Sequence, residues 1–182
     1  MVLSKREVER LLGALSNVKH RALMMVVYSG GLRVAEVADL IPSDIDSDRM
    51  RIRIHGKGRK ERDTLLSREA LKTLREYFRR YRPSIWLFEG QRRGKPIHTR
   101  TIQKIFQRAA QKAGVNKSAT PHTLRHSFAT HLLESGVDLF IIQKLLGHAT
   151  PRSTTVYLHV SNRDWAHIKN PLDNLEVDSP AI

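Results

Sequence analysis

The sequence contains no cysteine, few aromatic residues and far fewer acidic than basic residues. Without thiols the chain cannot form disulfides, thiolate zinc sites or iron–sulfur clusters, and it cannot use a cysteine nucleophile. Its longest apolar run, residues 22–28, is too short to span a bilayer. Five of the first ten residues are charged, and the start of the sequence lacks the apolar segment of a secretory signal peptide. We therefore expect a cytoplasmic protein.

The excess of positive charge points to a polyanionic partner. The 182 residues include 32 Lys and Arg but only 18 Asp and Glu, which gives a net charge of +14 with neutral histidine. Basic side chains that neutralise phosphates release counterions, so this charge favours double-stranded DNA as the partner. Seven basic residues and one acidic residue lie between positions 49 and 62. Within this run we expect the DNA-binding residues to be Arg51, Arg53, Arg59, Lys60 and Arg62.

The hydrophobic pattern predicts a single α+β domain that is mainly α-helical and carries a small antiparallel sheet of two to three strands. The length is sufficient for one domain with its own core. Apolar residues at positions 50, 52 and 54 alternate with basic ones, which predicts a strand. A Gly-Lys-Gly turn and a second strand near 63–66 follow, and Trp86–Phe88 is the candidate third strand. Helical spacing and capping residues predict helices over 4–16, 19–29, 33–40, 67–81, 99–113, 123–135, 138–146, from 150–151 onward, and over 162–169.

Several common kinds of active site are disfavoured by the motifs. The segment HTLRH at 122–126 places two histidines one helical turn apart, but it lacks the glutamate of a zinc protease motif and an evident third ligand. The sequence has no GxxxxGK[ST] loop for nucleotide phosphates and no GxSxG serine motif. We expect neither a metal nor a cofactor.

A different set of reactive side chains lies at the boundaries of predicted elements, where residues from several segments can converge on one pocket. Two arginines can clamp a phosphate, lysine and histidine can transfer protons, and tyrosine is a nucleophile where nearby cations favour its phenolate. Each residue also has a simpler interpretation, such as pairing of Arg33 with Glu36 or packing of Tyr157. The candidate catalytic residues are Arg33, Lys57, His122, Arg125, His148 and Tyr157.

Five motifs in this order resemble the catalytic domain of the tyrosine recombinases, or phage integrase family, especially its Xer, integron and phage integrase members. They are YSGGLRVAEV, GKGRKER, HTLRHSFATHLLESG, LLGH and TTVYLHV. The resemblance implies the tyrosine recombinase catalytic-domain fold over residues 1–175, followed by an acidic tail at 176–182. It also implies that the N-terminal core-binding domain usual in such recombinases is absent from this chain.

The resemblance implies a site-specific recombinase that cleaves and rejoins DNA strands through a 3′-phosphotyrosyl intermediate without metal or ATP. In this scheme Arg33 and Arg125 bind the scissile phosphate, and Tyr157 attacks it. Lys57 protonates the departing 5′ oxygen, and His122 is its acid–base partner.

Further expectations concern supporting residues and assembly. The resemblance implies that His148 hydrogen-bonds the phosphate, that Glu36 orients the Arg33 segment, and that His126 supports the site. It also implies a homo-tetramer in the DNA synapse, while the free domain is compatible with a monomer. Two alternatives stay open: a noncatalytic DNA-binding module, and strand passage like that of type IB topoisomerases.

Overall fold

Seven α-helices and a three-stranded antiparallel sheet make up most of the described chain. The computed structural model describes residues 1–56, 61–115, 118–147 and 167–177. The helices are α1 (Lys5–Gly13), α2 (Val18–Gly30), α3 (Val34–Ala38), α4 (Arg68–Tyr81), α5 (Thr99–Lys112), α6 (Pro121–Glu134) and α7 (Leu139–Leu146). The strands are β1 (Ile45–Asp46), β2 (Arg51–His55) and β3 (Glu61–Leu65), in spatial order β1-β2-β3. Short 3-10 turns cover Pro42–Asp44 and Pro171–Asn174.

Helix α2 forms the centre of the core. Residues 21–30 are all buried, and the helix contacts α1, α3, α4, α6, β3 and the turn at Pro171–Asn174. A helix that is apolar on most sides requires such enclosure on most sides. Asn17 caps its start by accepting a hydrogen bond from the His20 amide at 3.1 Å. Gly31 ends it with a φ of 59°, and the Leu32 amide donates back to the Val27 carbonyl at 3.0 Å.

The amphipathic helices pack around α2 as their patterns predict. In α1 the residues Val8, Leu11 and Leu12 are buried, and Ser4 and Glu7 form a capping box. Ser67 caps α4, since its hydroxyl accepts from the Ala70 amide at 2.8 Å. Most predicted boundaries of described helices therefore agree with the structure to within about two residues, the usual uncertainty of helix ends.

The prediction of a third strand at Trp86–Phe88 is wrong. The third strand is β1, in which Ile45 pairs with Ile52 and Asp46 pairs with Arg51. Residues 86–88 instead pass along the core, where the Leu87 amide donates to the Leu40 carbonyl at 2.7 Å. The Tyr77 hydroxyl donates to the Leu87 carbonyl, and the Ile97 amide donates to the Phe88 carbonyl at 2.9 Å, so this apolar segment forms its hydrogen bonds outside the three-stranded sheet.

Only the last three residues of the predicted short helix over 162–169 lie in the described part of the chain. Residues 162–166 lie outside the described part, and residues 167–170 are not helical. Pro171 begins a 3-10 turn instead of ending a helix, and the Asn170 side chain caps that turn by accepting from the Leu172 amide at 3.0 Å. The Asn170 side chain also donates to the Ser29 carbonyl, which ties this turn to α2. The predicted helix from 150–151 also lies outside the described residues.

The two faces of the β2–β3 hairpin differ in kind. Ile52, Ile54 and Thr64 point into the core, whereas Arg53 and His55 point outward. This alternation follows from the period of two in a strand. Searched over the residues that the structure describes, the helices include none that is both long and apolar enough to cross a bilayer.

Candidate active site

Arg33 lies at the junction between the centre of the core and helix α3. It is the N-cap residue of α3, two positions after the left-handed Gly31 that ends α2. Glu36 fixes it twice: the Arg33 amide donates to Glu36 Oε2 at 2.8 Å, and Arg33 Nη1 donates to Glu36 Oε1 at 3.0 Å. The Arg33 side chain remains 43% exposed, so its guanidinium is open to a ligand from solvent.

Arg125, on α6, reaches the same place from a different helix. Its Nη1 donates to the Gly31 carbonyl at 2.6 Å, and its Nη2 donates to the Leu146 carbonyl at 2.7 Å. These carbonyls lie at the C-terminal ends of α2 and α7, where a cation complements the helix dipole. Burial lowers the pKa of Arg125 to about 10, and the positive charge of Arg33 contributes to the shift. The guanidinium is still charged at neutral pH.

Glu36 is the shared acceptor of this cluster. Its two carboxylate oxygens accept from Arg62 Nη1 at 2.8 Å and Nη2 at 3.0 Å, and its Oε2 lies 3.6 Å from Arg125 Nη1. Burial raises the pKa of Glu36, but hydrogen bonds from Arg62 and the Arg33 amide, and the charge of Arg125, lower it overall. The carboxylate is therefore ionised at neutral pH.

The arginine cluster carries a surplus of positive charge. Three guanidiniums, those of Arg33, Arg62 and Arg125, surround one carboxylate, so 3 − 1 leaves two positive charges. Arg62 and Arg125 are largely buried, with side-chain exposures of 15% and 4%. This positive surplus is held in a fixed arrangement, and the Arg33 side chain is open to solvent. Such an arrangement is suited to binding one phosphate group through two guanidiniums.

His122 lies one turn before Arg125 on α6 and is exposed. Partial desolvation of its ring by the surrounding protein lowers its pKa, and the charges of Arg125, His126 and Arg33 lower it further. A neutral imidazole at physiological pH can accept a proton. Its ring stands edge-on to that of His126 with centroids 5.8 Å apart, which is consistent with a supporting position for His126.

The predicted DNA-binding residues divide between the two faces of the hairpin. Arg53 is exposed and lies opposite Asp63 in the strand register. Arg51 is 3.6 Å from Asp63 and only 15% exposed. Arg62 pairs with Ile54 across the ladder, so it faces the core side and binds Glu36 there. The sequence predicts Arg62 as a DNA-binding residue, and the strand alternation places its side chain on the core side of the hairpin with 15% of it exposed.

Five of the predicted residues lie outside the described part of the chain: Lys57, Arg59, Lys60, His148 and Tyr157. Two of the breaks in the described chain border the arginine cluster: residues 57–60 end next to Glu61 and Arg62, and residue 148 follows Gly147, which lies against Arg62. Strand β2 ends at His55, and strand β3 begins at Glu61. Gly147 ends α7 with a φ of 69°. Among the described residues, no three His, Asp or Glu side chains are grouped so that they could hold a metal ion.

Two features of the site are absent from the sequence predictions. Arg62 connects to Glu36, and His55 lies between two carboxylates, with Nε2 at 2.8 Å from Asp44 Oδ1 and Nδ1 at 3.1 Å from Glu61 Oε1. The alternation of Ile52 and Ile54 could have indicated the inward direction of Arg62 once the hairpin register was known. The Asp44 contact has no local signal because it joins β2 to a preceding 3-10 turn.

Comparison with known proteins identifies the family. The model of the phage integrase family matches residues 1–163. The chain belongs to the phage integrase family. Its fold is that of a tyrosine recombinase catalytic domain, as the resemblance predicts: in the part described it is mainly helical with a small antiparallel sheet.

Relatives within the phage integrase family share about two fifths of their residues with this chain. An integrase/recombinase of Sinorhizobium fredii is 40% identical over 181 residues, which cover 99% of this chain and 72% of the relative. Tyrosine recombinase XerC of Lactobacillus delbrueckii subsp. bulgaricus is 40% identical over 151 residues, 79% of this chain and 51% of XerC. The chain thus spans between half and three quarters of these relatives.

Solved structures agree with this assignment. The crystal structure of XerA recombinase matches with a TM-score of 0.77 and 35% identity, covering 90% of this chain and 60% of XerA. XerH site-specific recombinase bound to its difH substrate before cleavage matches with a TM-score of 0.74 and 26% identity. That match covers 91% of this chain and 52% of XerH.

Proposed function

We propose that this chain cleaves and rejoins DNA strands at specific sites through a covalent 3′-phosphotyrosyl intermediate. The observation that carries the proposal is the arrangement of Arg33 and Arg125 around Glu36, which leaves a fixed positive surplus beside solvent. Similarity to recombinases, including XerH bound to a DNA substrate, supports the same function. The net charge of +14 fits a DNA partner.

Arg33 and Arg125 are the groups that bind the scissile phosphate. Their planar guanidiniums neutralise the negative charge that develops on the nonbridging oxygens as phosphorus becomes five-coordinate. Arg125 is held by two backbone carbonyls and Arg33 by the Glu36 carboxylate, so neither has to be ordered when DNA binds. Such preorganisation makes the charge more effective in the transition state than in water.

The strand is cut by transfer of phosphorus from one oxygen to another. The Tyr157 hydroxyl oxygen forms a bond to phosphorus while the bond from phosphorus to the 5′ oxygen breaks. Neutral His122 accepts the phenol proton, and Lys57 donates a proton to the departing 5′ oxygen. His148 donates a hydrogen bond to the phosphate. The phosphotyrosyl link retains the energy of the phosphodiester, so attack by a 5′ hydroxyl rejoins DNA without ATP.

The partners in this scheme are double-stranded DNA and further copies of the chain. Two copies at each site and four in the synapse would exchange strands in pairs. The exposed Arg53 on the outer face of the hairpin, together with Arg51, Arg59 and Lys60, supplies the electrostatic attraction to the duplex. We infer a homo-tetramer for the synapse.

A two-site plasmid assay tests the proposal. Duplexes that bind the protein are selected from a random pool at moderate salt and identified by sequencing. Two copies of the selected sequence are then placed in one supercoiled plasmid and incubated with the protein. We expect deletion or inversion of the segment between the copies. Relaxation without rearrangement would indicate topoisomerase-like strand passage, and binding without any strand breakage would indicate a noncatalytic DNA-binding module; either result contradicts the proposal.

A further inference from the structure

Arg62 joins three chain segments that border the proposed reacting groups. It lies in β3, which starts at Glu61, immediately after residues 57–60. Its Nη1 and Nη2 donate to the two oxygens of Glu36 at 2.8 and 3.0 Å, and its Nε donates to the Leu145 carbonyl at 2.9 Å. One planar guanidinium thus connects the hairpin, the first turn of α3 and the last turn of α7.

The end of α7 is shaped to accommodate this side chain. Gly147 has a φ of 69°, and a Cβ atom placed on it would lie 2.8 Å from Arg62 Cδ and 3.0 Å from Nε. A glycine is therefore required both by the left-handed backbone and by the close approach of Arg62. Gly147 immediately precedes His148, so the Arg62 contact borders another of the proposed reacting residues.

Arg62 also determines how much of the negative charge of Glu36 is available to compensate the charges of Arg33 and Arg125. It donates one hydrogen bond to each oxygen of the carboxylate, whereas Arg33 donates from one side-chain nitrogen and Arg125 lies at 3.6 Å. Bidentate guanidinium–carboxylate pairs are the strongest of these interactions. The Glu36 charge is therefore compensated mainly by Arg62, and the charges of Arg33 and Arg125 are left to act on a phosphate.

We propose that Arg62 is a positioning residue for strand cleavage, which holds the Glu36 carboxylate and the end of α7 in place and does not contact DNA itself. This inference rests on the proposed function. Lysine cannot replace arginine in this role, because one ammonium cannot bind both Glu36 oxygens in a fork and also reach the Leu145 carbonyl in the same plane.

The test compares the Arg62→Lys and Arg62→Met variants with wild type on nicked versions of the selected duplex, which trap the covalent product. The rate of adduct formation is measured at saturating DNA and normalised to the protein competent to bind. Binding affinity is measured across a range of salt concentrations. The matched control is Arg21→Lys, since Arg21 is buried, donates Nε to the Leu15 carbonyl at 3.1 Å, and lies at the far end of α2 from Gly31.

We expect both Arg62 variants to form the adduct about a hundredfold more slowly than wild type, because displacements of about 1 Å in a reacting site have effects of that size. Their DNA affinity should change little, and the dependence of affinity on salt should keep its slope. Arg21→Lys should keep the wild-type rate. If Arg62 contacted a phosphate instead, Arg62→Met would lower the salt slope by about one and Arg62→Lys would retain it.

A double-mutant cycle with Glu36→Gln distinguishes positioning through Glu36 from general destabilisation. The double variant Glu36→Gln, Arg62→Met should be far less impaired than the product of the two single effects, because both changes remove the same interaction. Multiplicative effects, or an Arg62→Lys rate within about threefold of wild type, would overturn the positioning role. Absence of adduct with wild-type protein would contradict the proposed function, and the inference with it.

Discussion

At the scale of single residues, the orientation of Arg125 depends on backbone groups from two different helices. Its guanidinium donates to the Gly31 and Leu146 carbonyls, which end α2 and α7. These contacts fix the direction of the charge before DNA arrives. In the proposed reaction the Arg125 guanidinium therefore needs no reorientation to bind the phosphate, because folding has already fixed its direction.

Replacing Arg125 removes this fixed charge. We expect Arg125→Ala to form the covalent adduct at least about a hundredfold more slowly than wild type, because loss of one preorganised charge stabiliser typically has that effect. The measurement is single-turnover adduct formation at saturating DNA. Arg125→Lys is the matched variant, and it should also be slow because lysine cannot donate to two carbonyls and a phosphate in one plane. Near-wild-type cleavage by Arg125→Ala would contradict its role.

The sequence predicts the places of some site residues and not of others. Pairing of Arg33 with Glu36 and a place for Arg33 in the site were alternatives at the level of sequence, yet the 3.0 Å pair lies within the arginine cluster. The direction of Arg62 was not anticipated, because a run of basic residues shows charge without showing which face each occupies. The register with Ile54 decides that direction, and register is a property of the paired strands.

At the scale of elements, the junction between α2 and α3 depends on Gly31. A Cβ atom at this position would lie 2.5 Å from Cδ1 of Phe128, a fully buried side chain, and the residue has a φ of 59°. Both the steric overlap and the left-handed backbone disfavour any other residue. The Gly31 carbonyl also accepts a hydrogen bond from Arg125, so the junction helps to hold Arg125 in the candidate active site.

Gly31→Ala should therefore destabilise the protein strongly. We expect a loss of at least about 2 kcal/mol in the free energy of unfolding, because the energetic costs of overpacking and of backbone strain add together. Gly13→Ala is the matched control, because no atom lies within 4 Å of a Cβ there and its φ is ordinary. The measurement is urea unfolding with the midpoint and slope compared. Equal midpoints for the two variants would contradict the steric account of the junction.

The turn end of the β2–β3 hairpin, where His55 pairs with Glu61, contains a contact that depends on pH. His55 hydrogen-bonds Asp44, and this bond together with the nearby carboxylate of Glu61 raises its pKa, although partial desolvation acts in the opposite direction. A raised pKa in the folded state means that protonation stabilises the fold. That contribution is fully present below the unfolded pKa of about 6.5 and is lost as the pH rises through the raised folded value.

The stability difference between wild type and His55→Gln should thus be larger at low pH than at high pH. His20→Gln is the comparison with the opposite sign, because burial and then the charges of Lys19 and Arg108 lower the His20 pKa. The His20→Gln variant should therefore gain stability relative to wild type as the pH falls. Urea unfolding from pH 5.5 to pH 9 measures both differences. A His55→Gln difference that is constant over this range would contradict the ion-pair account.

Elements with a strong local pattern were predictable, and those held by distant contacts were not. The boundaries of α2, α4 and α5 follow the predictions from capping and periodicity to within one residue, whereas α1 starts as its capping box predicts and ends earlier than predicted, at Gly13. Strand β1 is two residues long and exists because Ile45 pairs with Ile52, a contact that no local pattern shows. The apolar segment 86–88 has the composition of a strand, but its backbone hydrogen bonds go to Leu40, Tyr77 and Ile97, outside the three-stranded sheet.

At the scale of the whole molecule, the described parts assemble one site from segments far apart in sequence. Glu36, Arg62 and Arg125 meet although 89 positions separate the first from the last, since 125 − 36 = 89. Helix α2 supports each segment, because α3, β3 and α6 all contact it. The family resemblance predicted that Arg33, Glu36 and Arg125 belong to one site, but it did not predict the place of Arg62 there. Composition and periodicity alone predicted only the class of fold and a DNA partner.

The proposed mechanism requires Tyr157 to become covalently linked to DNA. The most direct measurement incubates the protein with a random pool of nicked duplexes in the presence of a chelator, separates the products under denaturing conditions and maps the modified peptide. We predict a stable adduct on Tyr157 of the wild-type protein, and none with Tyr157→Phe, which should still bind duplex DNA. An adduct that persists in Tyr157→Phe, or salt-sensitive DNA binding by the wild type without any adduct, would contradict the claim.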